Sequence, residues 1–370
     1  MGRKRTRQKP GNKGRADVWK RFSWRGISMD VPVSWELGAV SGDEESGYFR
    51  LEDSFYTRLE AKWFTHPSGK PSLEKIQQNY LSQLGGRGRK KRQVELIEGP
   101  TLRQWDEEGS ESCSFRWAAD TECSCLVLYR AQTKRVVLIQ VVSRPGKGGA
   151  RLAKRILRSL RDGSDEASRH WAVYDLDFSV PKPFTLSSHR LQSGLLEFVF
   201  QDGEAVLGVR RWSMADAMLR RGELDVWSKK EYAELLKDCQ WEENVLEREG
   251  DKGIRIEGSY EAKSARLIWP FLALLPFGMG RLLPVNLCAA IGVMFWHCPH
   301  SNRILGVHLK DPEGRVDVLK QVASSLHCHT RPMEVEKRIE DWLPETDVGG
   351  QEGYLPVHSS QESEGGVEEK

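Results

Sequence analysis

The chain carries one pattern of apolar and polar residues twice. Ile27 to Trp63 and Leu176 to Trp212 open with the same alternation, and each stretch ends on a Trp. Val31-Pro32 is answered by Val180-Pro181, Trp35 by Phe184 and Leu37 by Leu186. Each stretch then continues into a Ser-initiated helix, a hairpin and a last helix that closes on Ser-Leu, at Ser159-Leu160 and at Ser325-Leu326. Repetition at this length means two domain-sized units, because the repeats of a solenoid are far shorter. A chain of 370 residues is long enough to give each unit a core of its own.

Within the first unit, Ile27 to Val31 reads as a strand that stops at Pro32, a residue with no N–H to give to a ladder. Tyr48 to Trp63 reads as a hairpin through Asp53-Ser54. Ser72 starts a helix with Leu73, Ile76, Tyr80 and Leu84 on one face. Leu126 to Tyr129 and Val136 to Val142 are strands around Gln132-Thr133, and Ala150 to Leu160 is the closing helix. In the second unit, Ser228 and Glu231 have capping-box spacing ahead of a helix with Tyr232, Leu235 and Cys239 on one face. Val293 to Trp296 and Ile304 to Leu309 are paired strands, with Arg303 standing where the first unit has Arg135. Runs of strands with a central and a terminal helix predict an α+β class: two tandem copies of an antiparallel sheet packed with helices.

The expected organisation is a disordered basic arm over 1–20, a first unit over 21–162, a linker over 163–170 and a second unit over 171–330. A C-terminal helix over 331–343 and a disordered acidic tail over 344–370 complete it. The ends differ in sign. The first 24 residues hold nine Lys or Arg against one Asp, and the last ten hold four Glu and one Lys. Seven Cys, an odd number, behind a basic start with no apolar core point to free thiols and a cytoplasmic chain. The apolar region from Leu267 to Trp296 is interrupted by Pro270, Pro276, Arg281, Pro284 and Asn286, so no transmembrane segment is expected. The richest part of it, Trp269 to Pro284, is expected to pack against the first unit and weld the two together.

Val31-Pro32-Val33-Ser34-Trp35, its echo Val180-Pro181-Lys182-Pro183-Phe184 and the order of elements give the chain a fold-level resemblance to the PsbP-like superfamily. That superfamily takes in photosystem extrinsic proteins, Ran-binding nucleotide-release factors and DcrB-type bacterial proteins. The resemblance implies a binding or assembly protein without shared catalytic residues, so it transfers no site. The apolar stretch Leu272 to Leu287 departs from the pattern.

Three functional readings follow. The leading one is a non-catalytic binding or scaffold protein that engages a macromolecular partner, with no cofactor. The second is a zinc-binding protein or metal-dependent enzyme that uses the second unit, where His297, Cys298 and His300 occupy a hairpin and His327, Cys328 and His329 follow the closing helix. Imidazole and thiolate suit tetrahedral zinc, and the return of the helix would bring the two clusters face to face. The third is nucleic-acid or anionic-lipid association through Arg144, Lys147, Arg151, Lys154, Arg155, Arg158 and Arg161, a basic stripe behind a glycine-rich loop. The loop lacks the Gly-Lys-Ser/Thr ending of a nucleotide P-loop. No Gly-x-Ser-x-Gly or His-Glu-x-x-His occurs, and Cys123-Ser124-Cys125 is one spacer short of a redox pair.

Overall fold

Apolar residues alternate on both sides of a two-residue turn at the start of each repeat, and each set folds into a hairpin. The computed structural model describes residues 18–67, 69–84, 94–97, 109–144, 149–163, 166–237, 239–248, 251–261 and 288–328. These belong to one compact unit, Met1–Pro332; a second, Met333–Lys370, lies outside the described residues. Strand β1 (Trp19–Trp24) turns through Arg25 and Gly26, both at positive φ (48° and 82°), into β2 (Ile27–Pro32). Positive φ at both turn positions matches the twist of a tight hairpin. Trp19 and Lys20 therefore belong to a strand, although their surroundings read as part of the basic arm.

The chain then builds β3 (Glu36–Gly42), β4 (Ser46–Glu52) and β5 (Thr57–Thr65), helix α1 (Leu73–Leu84), β6 (Glu95–Ile97), β7 (Ser110–Ala118), β8 (Glu122–Arg130) and β9 (Arg135–Ser143). Helix α2 (Gly149–Arg158) and the two-residue β10 (Arg161–Asp162) close the first half. Ser72 caps α1, its Oγ accepting from the Lys75 N–H at 3.2 Å. Asp53 makes the β4–β5 turn by accepting from the N–H groups of Phe55 and Tyr56, both at 2.8 Å.

The second half repeats the order with β11 (Ser168–Val173), β12 (Leu176–Pro181), β13 (Thr185–Leu191), β14 (Leu195–Asp202) and β15 (Ala205–Ser213). Three short helices follow: α3 (Ala215–Met218), α4 (Leu224–Glu231) and α5 (Ala233–Leu236). Then come β16 (Gln240–Arg248), β17 (Asp251–Glu261), β18 (Cys288–Cys298), β19 (Arg303–Asp311) and helix α6 (Val316–Ser325). The expected capping box does not form. Ser228 is buried inside α4, its hydroxyl donating to the Asp225 carbonyl at 2.7 Å, and Glu223 takes the N-cap position. The apolar packing does hold: Tyr232, Leu235 and Cys239 all join the outer core of this half. Ser168–His170, placed in the linker by composition, opens β11.

The architecture is sheet-dominated and antiparallel. One seven-stranded sheet runs β3-β4-β5-β9-β8-β7-β6, and the other runs β13-β14-β15-β19-β18-β17-β16, the same order strand for strand. Their edge pairs break register at matching places, between Leu37 and Ala39 and between Leu186 and Ser188. The hairpins of the two halves meet in a five-stranded sheet, β10-β2-β1-β11-β12. Each seven-stranded sheet has an outer face under its own helix layer, with Leu73, Phe115, Trp117 and Val127 in one and Trp212, Tyr232, Ile256 and Phe295 in the other. The inner faces, the joined hairpins, α2 and α6 share a single core that includes Trp24, Trp63, Trp171, Phe178 and Phe198.

The two terminal Trp residues, which look like counterparts, are not. Leu51 pairs with Leu59 and Phe200 with Leu207, but the turn between β4 and β5 is longer than that between β14 and β15. Trp63 pairs with Val137 and Trp212 with Ile304; Val137 stands two residues after Arg135, Ile304 one after Arg303. The structural partner of Trp63 is therefore Arg211, and that of Trp212 is Phe64. A one-residue slip in a strand reverses the face, so Trp63 lies in the central core and Trp212 under the outer helices.

The halves are welded through the hairpins. The stretch Trp269 to Pro284 lies outside the described residues, as do the region 331–370, Lys147 and His329. Among the described residues no helix is long and apolar enough to cross a membrane.

Candidate functional site

The two His/Cys clusters do approach each other, as the return of α6 requires. Cys298 ends β18 opposite Arg303, and the Arg303 guanidinium donates to the Cys328 carbonyl at 3.0 Å. Both thiols lie in the central core, 3% exposed, and Ser301 Oγ donates to Cys328 Sγ at 3.2 Å. Burial pushes the Cys328 thiol up to about 11, with the neighbouring Cys298 adding to the effect. His297 alternates with Cys298 along β18, His300 is exposed, and the His327 backbone bridges to Asp177. Among the described residues no three His, Cys, Asp or Glu side chains gather closely enough to hold a metal ion.

The place of Cys328 in the fold explains the cluster. Arg161 pairs with Ser28 and His327 with Asp177, at matching positions in the two hairpins, so Cys328 stands where the first half has Asp162. In the first half Arg135, 3% exposed, meets the Asp162 carboxylate at 3.2 Å and gives a second bond to the Arg25 carbonyl at 2.9 Å. In the second half the carboxylate has moved to the hairpin turn, where Asp175 pairs with Arg303 and also accepts from Arg211 at 2.8 Å. The counter-charge of the guanidinium at this position, Arg135 or Arg303, is supplied from a different place in each half.

The basic stripe is where periodicity puts it. Arg151, Lys154, Arg155 and Arg158 face solvent on α2, while Ala153, Ile156 and Leu157 face the core; Arg161, also exposed, lies just beyond the helix in β10. The side chains do different things. Arg161 folds back to cap the helix, donating to the carbonyls of Arg158 and Leu160 at 3.1 and 2.6 Å. Arg155 lies 3.7 Å over the Trp19 ring and Arg144 lies 4.4 Å over Tyr56.

A third site is invisible to sequence reading. On the outer face of the first sheet, a cleft of about 390 Å³ is lined by Tyr48, Glu60, Lys62, Leu138 and Gln140 and walled by Tyr80 and Leu84 of α1. A chain of hydrogen bonds runs along its floor. Tyr48 donates to Glu60 Oε1 at 2.5 Å, Gln140 Nε2 donates to Glu60 Oε2, and Tyr80 donates to Gln140 Oε1. Burial and the Glu60 carboxylate raise the Tyr48 phenol above its ordinary range, and burial raises that of Tyr80. Beneath α1, burial pushes the Cys123 thiol up to about 12. Both phenols of the cleft are raised, and both oxygens of its carboxylate are engaged.

The matching place in the second half is filled. Strand pairing sets Gln140 opposite Glu60 and His308 opposite Gly208, and sets Leu138 opposite Lys62 and Gly306 opposite Arg210. The two glycines leave room for bulk. A methyl group at Gly208 would meet His308 at 1.9 Å, and one at Gly306 would meet the Tyr232 hydroxyl at 2.8 Å. Tyr232, 2% exposed, fills the space, stacked at 12° on Phe295 and edge-on to His308, with the Arg210 guanidinium 5.4 Å from its ring. Burial, with Arg210 adding, depresses His308 to about 3. What is an open polar cleft in one half is a packed aromatic plug in the other.

No protein-family model matches the chain, and no curated protein matches it. Among solved structures, the Ran-binding protein Mog1p of Saccharomyces cerevisiae aligns at 12% identity over 44% of this chain and 95% of its own, with a TM-score of 0.29. The T6SS immunity protein TplEi of Pseudomonas aeruginosa aligns at 8% identity over 84% of this chain and 97% of its own, with a TM-score of 0.32. Likenesses at this level carry no argument about this chain.

Proposed function

We propose that the chain is a non-catalytic, cytoplasmic binding protein made of two PsbP-like units in tandem, and that a protein partner inserts a side chain into the cleft of the first half. The observation that carries the reading is the contrast between the halves: the sheets share one strand order, yet the cleft is open in the first and plugged by Tyr232 in the second. A fold that can close this space and leaves it open in one copy has a use for it. The chemistry of the cleft favours holding over reacting. Glu60 is engaged on both oxygens and the phenols are raised, so no group is poised as a base or nucleophile at neutral pH. Lys62 is the exposed charge at its mouth. The described cysteines Cys113, Cys123, Cys125, Cys239, Cys298 and Cys328 are free thiols, which fits a reducing compartment.

The test is a photo-crosslinking amino acid incorporated in place of Lys62, with the same group in place of exposed Val245 on the second half as control. A discrete protein adduct is expected from position 62 only, and Glu60→Gln with Tyr48→Phe should diminish it. Equal adducts from both positions, or none from either, would overturn the reading.

A further inference from the structure

The rim at which β9 hands over to α2 brings together two features that the proposed cleft does not use. The first is cationic. Arg151, Lys154 and Arg158 follow one another along the solvent face of α2, and among the described residues none of them has an acidic partner. At 1.5 Å of rise per residue they form a row about 10 Å long. The second is aromatic. Phe55 is 82% exposed and Tyr56 is 50% exposed at the tip of the β4–β5 turn, and Phe55 is the most exposed large hydrophobic among the described residues of the first half.

Geometry joins the two. The start of α2 abuts the end of β9 so closely that a methyl group on Gly149 would meet the Ser143 side chain at 2.2 Å. The next residue, Arg144, lays its guanidinium over the Tyr56 ring. The aromatic tip is braced as well as exposed. Asp53 Oδ1 accepts from the N–H groups of Phe55 and Tyr56, and Arg58 holds Oδ2 at 2.5 Å and cancels its charge. A large apolar ring turned outward on the same rim as cations with no acidic partner among the described residues is not explained by the packing of this protein. Farther along α2, Arg155 covers the Trp19 ring.

We propose that this rim binds single-stranded nucleic acid, with phosphates along Arg151, Lys154 and Arg158 and a base stacked on Phe55. Cations in a row track a phosphate backbone, and an exposed aromatic at the end of the row supplies a stacking platform for a base of any sequence. A bilayer surface would favour a cluster of apolar tips, and the tip here is one phenylalanine beside a phenol already covered by guanidinium. An acidic protein would use the cations and leave Phe55 without a role.

Fluorescence anisotropy of the full chain with a labelled single-stranded oligonucleotide, followed through a salt series, tests the assignment. Binding should weaken as salt rises, by about 0.7 in log K per log salt for each phosphate neutralised. Replacing Arg151, Lys154 and Arg158 together by Ser should lower that slope by about 2. Phe55→Ser should weaken binding by roughly 5- to 150-fold with the slope unchanged, because a stacked base is worth about 1–3 kcal/mol and releases no counterions. Both sets of residues are exposed, and an unchanged melting temperature will show that the variants fold. No binding at low salt overturns the proposal, and so does binding that Phe55→Ser leaves intact. Saturable binding to vesicles of about three parts phosphatidylcholine to one of phosphatidylserine, with none to the oligonucleotide, assigns the rim to a membrane instead and also overturns it.

Discussion

His308 is the residue at which the open and the shut sheet face differ most in chemistry. It occupies the position of Gln140, but where Gln140 hydrogen-bonds along the floor of a cleft, His308 lies over a glycine and packs edge-on to Tyr232. Burial depresses its pKa from 6.5 to about 3, and the Arg210 charge works in the same direction. The native state therefore keeps it neutral while the unfolded chain protonates it below about pH 6.5. Between those limits the unfolded state binds the extra proton, so the contribution of His308 to stability is complete above pH 6.5 and is lost as the pH falls toward 3. The slope is at most about 1.4 kcal/mol per pH unit for one proton. His308→Gln, which installs the residue of the first half, should flatten this part of the profile. Urea midpoints from pH 7.5 to 5 check it: if variant and parent lose stability in parallel, His308 is already charged in the folded protein. The glycines beneath it belong to the same argument, since Gly208 and Gly306 are needed to admit the plug and not to make a turn.

At the scale of elements, the most informative short signal was the Ser-Leu that ends each closing helix. Its reason is a bond that neither helix could reveal alone. Ser159 Oγ accepts from the Asp30 N–H at 2.9 Å, and Ser325 Oγ accepts from the Ser179 N–H at 3.0 Å, each tying a helix end to the second strand of its hairpin. The following Leu160 and Leu326, both 1% exposed, sit in the central core. Ser159→Ala and Ser325→Ala each leave a strand N–H without that partner and should each cost about 1 kcal/mol. The two sites share no partner, so the double variant should cost the sum. Denaturant midpoints read this directly, and a loss in one half with none in the other would mean that the matching geometry does not carry matching energy. Much of the element order was legible in the same way: Ser72 and the spacing of Leu73, Ile76, Tyr80 and Leu84 give α1, and Asp53 gives its turn. Strand β1 was hidden because Lys20 looks like more of the basic arm, although it is 4% exposed against Glu36 at 2.6 Å. The cleft was hidden for a deeper reason. Tyr48, Glu60, Tyr80 and Gln140 come from four elements: the three on alternating strands read as solvated positions, and Tyr80 reads as part of the apolar face of α1, until pairing sets them side by side.

At the scale of the molecule, the repeats do not behave as two beads on a linker. Strands β1 and β11 pair antiparallel at Ser23 and Ala172, and these residues stand at the same place in their hairpins, one before Trp24 and one before Val173. Antiparallel pairing through matching residues is the signature of a local two-fold relation. Contacts on either side of that pair cross between the halves: Tyr174 donates to the Leu37 carbonyl at 2.7 Å, and Glu44 binds Arg25 and Arg169 at 2.7 and 2.9 Å. Trp24 stands edge-on to Trp171 at 5.2 Å and lies near Phe198 and His189, so the core of one half is completed by the aromatics of the other. Cutting the chain after residue 164 would uncover the β1 edge and the face of Trp24 together, a combination that folded monomers avoid. The isolated first half should therefore self-associate, pairing β1 with β1 of a second copy across Ser23. Co-expression with the second half should instead yield a one-to-one complex with a single cooperative melt. Light scattering behind a sizing column distinguishes the outcomes. A first half that runs as a monomer and melts cooperatively would show that the shared core is dispensable, and that the two units are independent after all.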